Sequence, residues 1–227
     1  MGPVLDQRET RDRLLSAAGE VFADRGFHDA TVREICQRAG ANVAAVNYYF
    51  RDKAALYREV VLGLYREAQE QYPLHSGAAA EGLPDDRLRA FVMNFLKRML
   101  DQGRPAWYGK LLAREMVEPT DVLDLLVDQF VRPNFSRLNA LVREIVGSGP
   151  SDADVRRAAF SIVGQCTAYK HMNGMILRLA PDQTYAPEDL EVLGEHIWKF
   201  SLAGLKALRE SHGAAEGRGG GGGGQAR

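Results

Sequence analysis

Residues 31–53, TVREICQRAGANVAAVNYYFRDK, contain the pattern that decides the fold. Thr31 is a typical helix N-cap residue, and Glu34 can return a hydrogen bond to the Thr31 amide, so the pair predicts a capped helix start. Glycine tolerates the left-handed backbone of a helix end, so Gly40 predicts the stop. The following segment, 41–43, is about as long as a turn between two helices that cross at about 90 to 120°. The pattern is typical of a helix-turn-helix.

The second helix of this pattern, predicted over residues 44–50, has an inward and an outward face. Val46 and Phe50 are four residues apart and can share the core-facing side. The other side chains are small, amide or phenolic. Asparagine can bond to base edges and tyrosine hydroxyls can donate to phosphates, so we predict a DNA-reading helix. The alternative is an ordinary helix surface that packs on a neighbour.

The charge balance limits how such a helix could hold DNA. The 227-residue chain has a net charge of −1, and residues 1–70 contain ten Lys or Arg against eleven Asp or Glu. Bulk attraction to DNA is therefore excluded, and binding would need a local positive face. Few phosphate contacts per monomer favour a dimer. The candidate cations are Arg33, Arg38, Arg51 and Lys53.

Composition and motifs exclude several other classes. No apolar run approaches the roughly 18 to 20 residues of a membrane span, and the N-terminus lacks the apolar core of a signal peptide, so we expect a soluble, cytoplasmic protein. No HExxH, GxSxG, Walker A or CxxC sequence occurs, so we predict no enzyme, no metal and no cofactor. Cys36 and Cys166 are expected to be buried apolar cysteines, with redox sensing as the alternative.

Apolar residues recur at helical spacing through the rest of the chain. No stretch alternates apolar and polar residues with the period of a strand, so the fold class is predicted to be all-α. We expect a first helix from Thr10 to about Asp24, closed by Arg25-Gly26-Phe27. Pro133 is expected to kink a long helix that begins near Val122. Further helices are predicted over 151–179 and 187–210.

Three segments, 18–27, 31–41 and 48–56, resemble the DNA-binding domain of TetR-family transcriptional regulators, and the resemblance runs over some sixty residues. It departs from the family pattern at Cys36 and at Ala41-Asn42. The C-terminal part is similar, more loosely, to the CerR-type domain of one TetR subfamily through 105–120, 130–147 and 164–174.

This resemblance implies a homodimer that binds a palindromic operator on double-stranded DNA as a repressor and is released by a small-molecule effector. The alternative is a helical module that binds a small molecule or a partner protein without specific DNA binding. The expected segments are a flexible N-terminus (1–7), a DNA-binding domain with connecting helix (8–72), an interdomain loop (73–84), an effector-binding and dimerisation domain (85–212) and a disordered Gly-rich tail (213–227).

Three sets of functional residues follow. The resemblance implies DNA contacts by Thr31, Arg33, Val43, Ala44, Ala45, Asn47, Tyr48, Tyr49 and Lys53. Apolar and polar residues on the later helices are candidates for an effector pocket, namely Phe95, Met99, Trp107, Tyr108, Leu111, Arg114, Phe130, Tyr169 and His171. The stripes on the last two helices predict a dimer interface formed by Ala158, Ala159, Ile162, Leu190, Leu193, Ile197, Ser201 and Leu205.

Among the DNA contacts, hydroxyl and ammonium groups suit phosphates, because they hold position without reading sequence. Thr31, Tyr48, Tyr49 and Lys53 carry such groups. Asn47 and Arg33 are better suited to base edges.

Overall fold

The regular elements of this computed structural model, which describes residues 3–75, 81–100, 103 and 105–219, are all helical, and the described residues contain no strand. The predicted all-α class is confirmed. None of the described helices is both long and apolar enough to cross a membrane. The helices are α1 Pro3–Asp29, α2 Val32–Ala39, α3 Val43–Phe50, α4 Lys53–Gln71, α5 Pro84–Leu100, α6 Ala106–Val117, α7 Asp121–Leu126, α8 Arg132–Val146, α9 Asp152–His171, α10 Asn173–Leu179 and α11 Pro187–Gly219.

The chain divides into two compact units. Unit 1 contains Met1–Glu70 and Gln102–Val131, and unit 2 contains Gln71–Asp101 and Arg132–Arg227. This division differs from the predicted one, because α6 and α7 pack with the N-terminal helices although they lie within the predicted C-terminal domain, 85–212. The apolar period of α6 could not show which neighbour it packs against.

The first helix is longer than predicted at its N-terminal end. It begins at Pro3 rather than Thr10, and proline is well tolerated in a first helical turn because its missing N–H has no helical partner there. Residues 3–7 of the predicted flexible segment 1–7 are therefore helical. The predicted break is present, since Gly26 has non-helical angles of φ 80° and ψ 173°.

The helix-turn-helix forms from local hydrogen bonds. The Thr31 hydroxyl accepts from the Glu34 amide at 3.1 Å, and Gly40 ends α2 in the left-handed conformation at φ 62° and ψ 36°. The turn then places Asn42 before α3, where its Oδ1 accepts from the Ala45 amide at 2.9 Å. Asparagine thus caps α3, which begins one residue earlier than predicted.

Pro133 changes the predicted long helix into two helices. α7 ends at Leu126, a π-helical segment follows over Val127–Val131, and α8 begins at Arg132. Proline has no N–H to donate to the carbonyl four residues earlier, so a regular α pattern cannot run through this point. The irregularity predicted at the proline therefore takes the form of a π-helical segment just before it.

The core of unit 2 forms from α5, α8, α9 and α11, and it contains six of the eight residues predicted as the dimer interface. Seven of the eight are at most 8% exposed, and the remaining one, Ala158, packs half-buried against the same core. That prediction was wrong, because helical periodicity identifies an apolar face but not the chain that covers it. The corrected residues are Ala158, Ala159, Ile162, Leu190, Leu193, Ile197, Ser201 and Leu205.

The last helices differ from their predicted bounds. The predicted helix 151–179 is two helices, since Met172 separates α9 from α10. α11 continues to Gly219, so residues 213–219 of the predicted disordered tail are helical, while 220–227 lie outside the described residues. In the predicted loop 73–84, residues 76–80 also lie outside them, and Pro84 already belongs to α5.

A substitution at Gly40 tests the turn between α2 and α3, and one at Gly63 serves as its comparison. Gly40→Ala should destabilise the protein by about 1 to 2 kcal/mol, because its left-handed backbone disfavours an L side chain. A Cβ at Gly40 would meet nothing within 4 Å, so the cost is conformational. Gly63→Ala, also in open space but inside α4, should stabilise by roughly 0.5 to 1 kcal/mol. Urea unfolding measures both, and an unchanged stability of Gly40→Ala would contradict the left-handed turn.

Candidate DNA-reading site

α3 directs two side chains into the core and the others outward. Val46 is 0% exposed and Phe50 is 4% exposed, which confirms the predicted inward face. Because these two residues anchor one side of the helix, the opposite side is presented to solvent. Ala44, Asn47 and Tyr48 are exposed there, Val43 is exposed as the first residue of the helix, and Ala45 and Tyr49 are half-buried at the edge.

Asn47 offers an amide group that is not used inside the described part of the protein. Its side chain is exposed, and it makes no hydrogen bond to any residue that the structure describes. An amide carries one acceptor and two donors, so it can bond in a bidentate manner to an adenine edge. Asn47 is therefore the best-placed group of α3 for reading a base.

The rings of the two tyrosines that follow Asn47 pack against each other. The Tyr48 and Tyr49 rings are 4.9 Å apart and meet edge to face at 81°. Tyr48 is 73% exposed, while Tyr49 packs partly on the core of unit 1. This contact restricts the directions that the exposed ring can take, and it leaves the Tyr48 hydroxyl in solvent where it can donate to a phosphate.

Of the four cations predicted to form a local positive face, Arg38 is already paired. Its guanidinium lies 3.3 Å from Glu20 and 3.9 Å from Asp24. Arg33 and Arg51 are exposed and make no ion pair with the described residues. The guanidinium groups of these two arginines are therefore available to DNA at this site.

Lys53 has a structural role that sequence reasoning missed. Its ammonium donates to the carbonyls of His28 at 3.2 Å and Ala30 at 3.0 Å, and it lies 4.8 Å above the Phe27 ring. An ammonium has three donors, so one remains for a phosphate. Lys53 thus fastens the start of α4 to the segment that ends α1.

Arg51 occupies an unusual backbone conformation between α3 and α4. Its angles are φ 75° and ψ −51°, and its amide donates to the Asn47 carbonyl at 3.1 Å. Positive φ is uncommon for a residue with a side chain and is disproportionately found at functional sites. No glycine or asparagine marks this position, so the sequence contained no signal for the turn.

The nine predicted DNA-binding residues therefore lie on one short stretch, from the cap of α2 to the first residue of α4. Thr31 is exposed, and although its hydroxyl oxygen accepts from Glu34, its O–H remains able to donate. The arrangement offers an amide for base edges, methyl groups for thymine, and hydroxyl and cationic donors for phosphates.

The nine residues predicted for an effector pocket are divided between the two units. Trp107, Tyr108, Leu111, Arg114 and Phe130 belong to unit 1, whereas Phe95, Met99, Tyr169 and His171 belong to unit 2. Within unit 1 the candidates serve packing. Leu111 is 0% exposed in the core that contains the DNA-reading helices, and the Tyr108 hydroxyl donates to Glu67 at 3.0 Å. Of those in unit 2, His171 is exposed.

A concave site of about 460 Å³ does occur in unit 2, between α9, α10 and α11. Tyr169 is the predicted residue that lines it. The Gln165 amide, which also lines it, donates to the Ser201 hydroxyl at 3.1 Å. No Asp, Glu, Lys or Arg is among the lining residues, which are Gln165, Ala168, Tyr169, Ile176, Leu179, Ala180, Gln183, His196 and Ile197.

Two known domains match the chain. Residues 14–60 match the bacterial regulatory proteins of the tetR family, and residues 84–205 match the C-terminal domain of the HTH-type transcriptional dual regulator CecR. The chain belongs to the TetR family, with a CecR-type C-terminal domain. The subfamily is therefore CecR rather than CerR. TetR-family proteins regulate transcription by binding DNA, and the helix-turn-helix is the element that does so.

Curated relatives agree with this assignment. The HTH-type transcriptional dual regulator CecR of Shigella flexneri is 26% identical over 197 residues, which are 83% of this chain and 88% of the relative. The HTH-type regulator YdgC of Bacillus subtilis strain 168 is 33% identical over 48% of this chain and 58% of its own. The match to the CecR protein extends through both parts of the chain.

Solved structures show the same TetR-type fold. A transcriptional regulator of Pseudomonas aeruginosa PAO1 has a TM-score of 0.66 and 25% identity, over 92% of this chain and 96% of its own. A TetR-family regulator of Mesorhizobium loti has a TM-score of 0.59 at 17% identity, over 87% and 96% of the two chains.

Two substitutions separate base reading from phosphate binding. Asn47→Ala should reduce the preference for operator over scrambled DNA by about tenfold, since a bidentate base contact is worth about 1–3 kcal/mol. Lys53→Ala should weaken binding to both DNAs alike. Titrations of each DNA measure the ratio, and Gln129→Ala, which removes an exposed amide from the π-helical segment, is the control. Equal loss ratios for the Asn47 and Lys53 variants would contradict the assignment.

Proposed function

We propose that this TetR-family protein is a repressor that binds a palindromic operator as a homodimer and is released by a small-molecule effector. The observation that carries the proposal is the exposed Asn47 amide on α3, beside Tyr48 and Arg51. Neither the Asn47 amide nor the Arg51 guanidinium bonds to another described side chain. A helix anchored by its inner face and carrying such groups on its outer face fits the major groove.

The electrostatics of unit 1 support a dimer. Each copy offers few cations to DNA, so one helix-turn-helix has little affinity of its own. Two copies joined by a two-fold axis double the contacts, and they read two half-sites about one helical turn apart. Tight binding to the operator then requires that two copies form a dimer.

The partner surface that we propose lies on the outer face of α11. Val192, His196, Phe200 and Gly204 recur every four residues and are exposed, and we call them the outer stripe of α11. Val192 is 71% exposed and Phe200 is 66% exposed, which is unusual for large apolar side chains on one helix face. Gly204 lets a partner helix approach, since a Cβ there would meet nothing within 4 Å.

The concave site around Tyr169 is our candidate effector site. Its volume falls within the range of small-molecule sites, and its lining combines aliphatic side chains with amide, phenol and imidazole groups. An ionised effector would find no opposite charge among the lining residues. An uncharged, amphipathic effector with hydrogen-bonding groups is therefore the class that the site favours.

Selection of bound genomic fragments tests the proposal. The protein should enrich fragments that contain an inverted repeat, and Asn47→Ala should enrich them far less. Transcription of the adjoining genes should rise when the gene for this protein is deleted. The CecR relative is named a dual regulator. If transcription of some target genes falls after the deletion, the protein activates those genes, and this result would contradict a pure repressor. No enrichment at all would favour the alternative, a helical binding module.

A charge on the outer stripe tests the dimer. Phe200→Glu should convert the protein to a monomer in light scattering, because each interface would bring two carboxylates into apolar contact. Operator affinity should fall at least tenfold, since only one half-site would be held. Val117→Glu, at a 79% exposed position on α6, is the control and should stay dimeric. A Phe200→Glu protein that remains dimeric would contradict this surface.

A further inference from the structure

Glu115 is the one fully buried charged side chain among the described residues of the chain. It lies on α6 in unit 1 and is 0% exposed. An ionised carboxylate away from water is costly unless several hydrogen bonds satisfy its oxygens. Its partners therefore decide why this residue is tolerated in the core.

Three donors from two places in the chain satisfy the Glu115 carboxylate. The Tyr57 hydroxyl of α4 donates to Oε2. The amide and the hydroxyl of Thr120 both donate to Oε1 at 2.9 Å. The neighbouring Arg114 guanidinium pairs with Glu118 at 3.3 Å. The carboxylate thus joins α4 to the turn between α6 and α7.

Tyr57 connects the Glu115 carboxylate with the part of unit 1 that contains the DNA-reading residues. It is one helical turn after Lys53, in the first part of α4, and it is 2% exposed. Its ring meets Phe22 edge to face at 4.9 Å and lies 5.0 Å from Phe27, the ring that also contacts the Lys53 ammonium. Contacts through Tyr57 and Phe27 therefore connect Glu115 with Lys53 at the start of α4.

Two further contacts hold α6 on α1. The Trp107 ring occupies the space above Gly19, where an added Cβ would lie 2.1 Å from the ring atoms. Farther along, the Lys110 ammonium lies 2.7 Å from the Asp24 carboxylate. Each contact is specific in shape or charge, so the position of α6 along α1 is closely defined.

We propose that Glu115 and Tyr57 are positioning residues for operator binding, through which α6 holds the start of α4 in the geometry that DNA requires. The proposal rests on the proposed operator binding and deepens it, since it states which contact inside unit 1 makes the reading geometry sensitive to α6. Binding of operator and the position of α6 are then thermodynamically linked in both directions.

The test uses Trp107 as a reporter of α6. The chain has two tryptophans, so Trp198→Phe leaves Trp107 as the single one. In this background we expect operator DNA to shift the Trp107 emission, whereas scrambled DNA should shift it less. Tyr57→Phe keeps the ring and removes only the hydroxyl, so it should lower operator affinity about tenfold and abolish most of the shift at saturating operator.

Glu115→Leu should have the same two effects, because a side chain of similar size without oxygens leaves the donors of Thr120 and Tyr57 without an acceptor. Glu118→Leu is the matched control, since Glu118 is an exposed carboxylate three residues later on the same segment. It should keep both the affinity and the emission shift. If Glu115→Leu fails to fold, Tyr57→Phe alone decides between the two roles, with circular dichroism to verify its helicity.

A purely structural role makes a different prediction. The Tyr57 and Glu115 variants would then unfold at lower urea concentration, but the folded protein would keep its operator affinity and its emission shift, and this result would overturn the inference. A wild-type protein that binds no DNA specifically would instead overturn the proposed function. The two failures are therefore distinguishable.

Discussion

The burial of Val46 and Phe50 is the constraint on which the reading site depends. Both side chains lie in the core of unit 1, so they set the rotation of α3 about its own axis. With that rotation set, Asn47 and Tyr48 must face outward. The caps at Thr31 and Asn42 and the left-handed Gly40 place α3 at its angle to α2. This placement allows the common side chains of Asn47 and Tyr48 to form a surface that can contact DNA.

Electrostatics then limits how the surface can work. Unit 1 uses several of its charges internally, since Arg38 pairs with Glu20 and Lys110 pairs with Asp24. Such pairs near solvent contribute little to stability, but they remove cations from the face that DNA would meet. Recognition therefore rests on a small number of placed contacts, and assembly of two copies supplies the rest.

Local features were predictable from the sequence because their causes are close together along the chain. The cap at Thr31, the stop at Gly40 and the inward pair on α3 depend on residues within four positions of one another. The dimer stripe was assigned wrongly because Leu193 and Ile197 look the same whether they face their own chain or another. The contact between Tyr57 and Glu115 spans 58 residues, and no short-range pattern indicates it. The residues of the effector set could not be assigned to units from the sequence for the same reason, since the division of the chain after Val131 is a property of packing.

The salt dependence of operator binding tests the central claim most directly. If Arg51 and Lys53 of each copy contact phosphates, a dimer makes about four ionic contacts, and log K should fall with log salt with a slope of about −4. Arg51→Ala should reduce the magnitude of that slope by about 2, one contact for each copy. A slope near −10, unchanged by Arg51→Ala, would show bulk attraction to DNA and would contradict recognition by a few placed contacts.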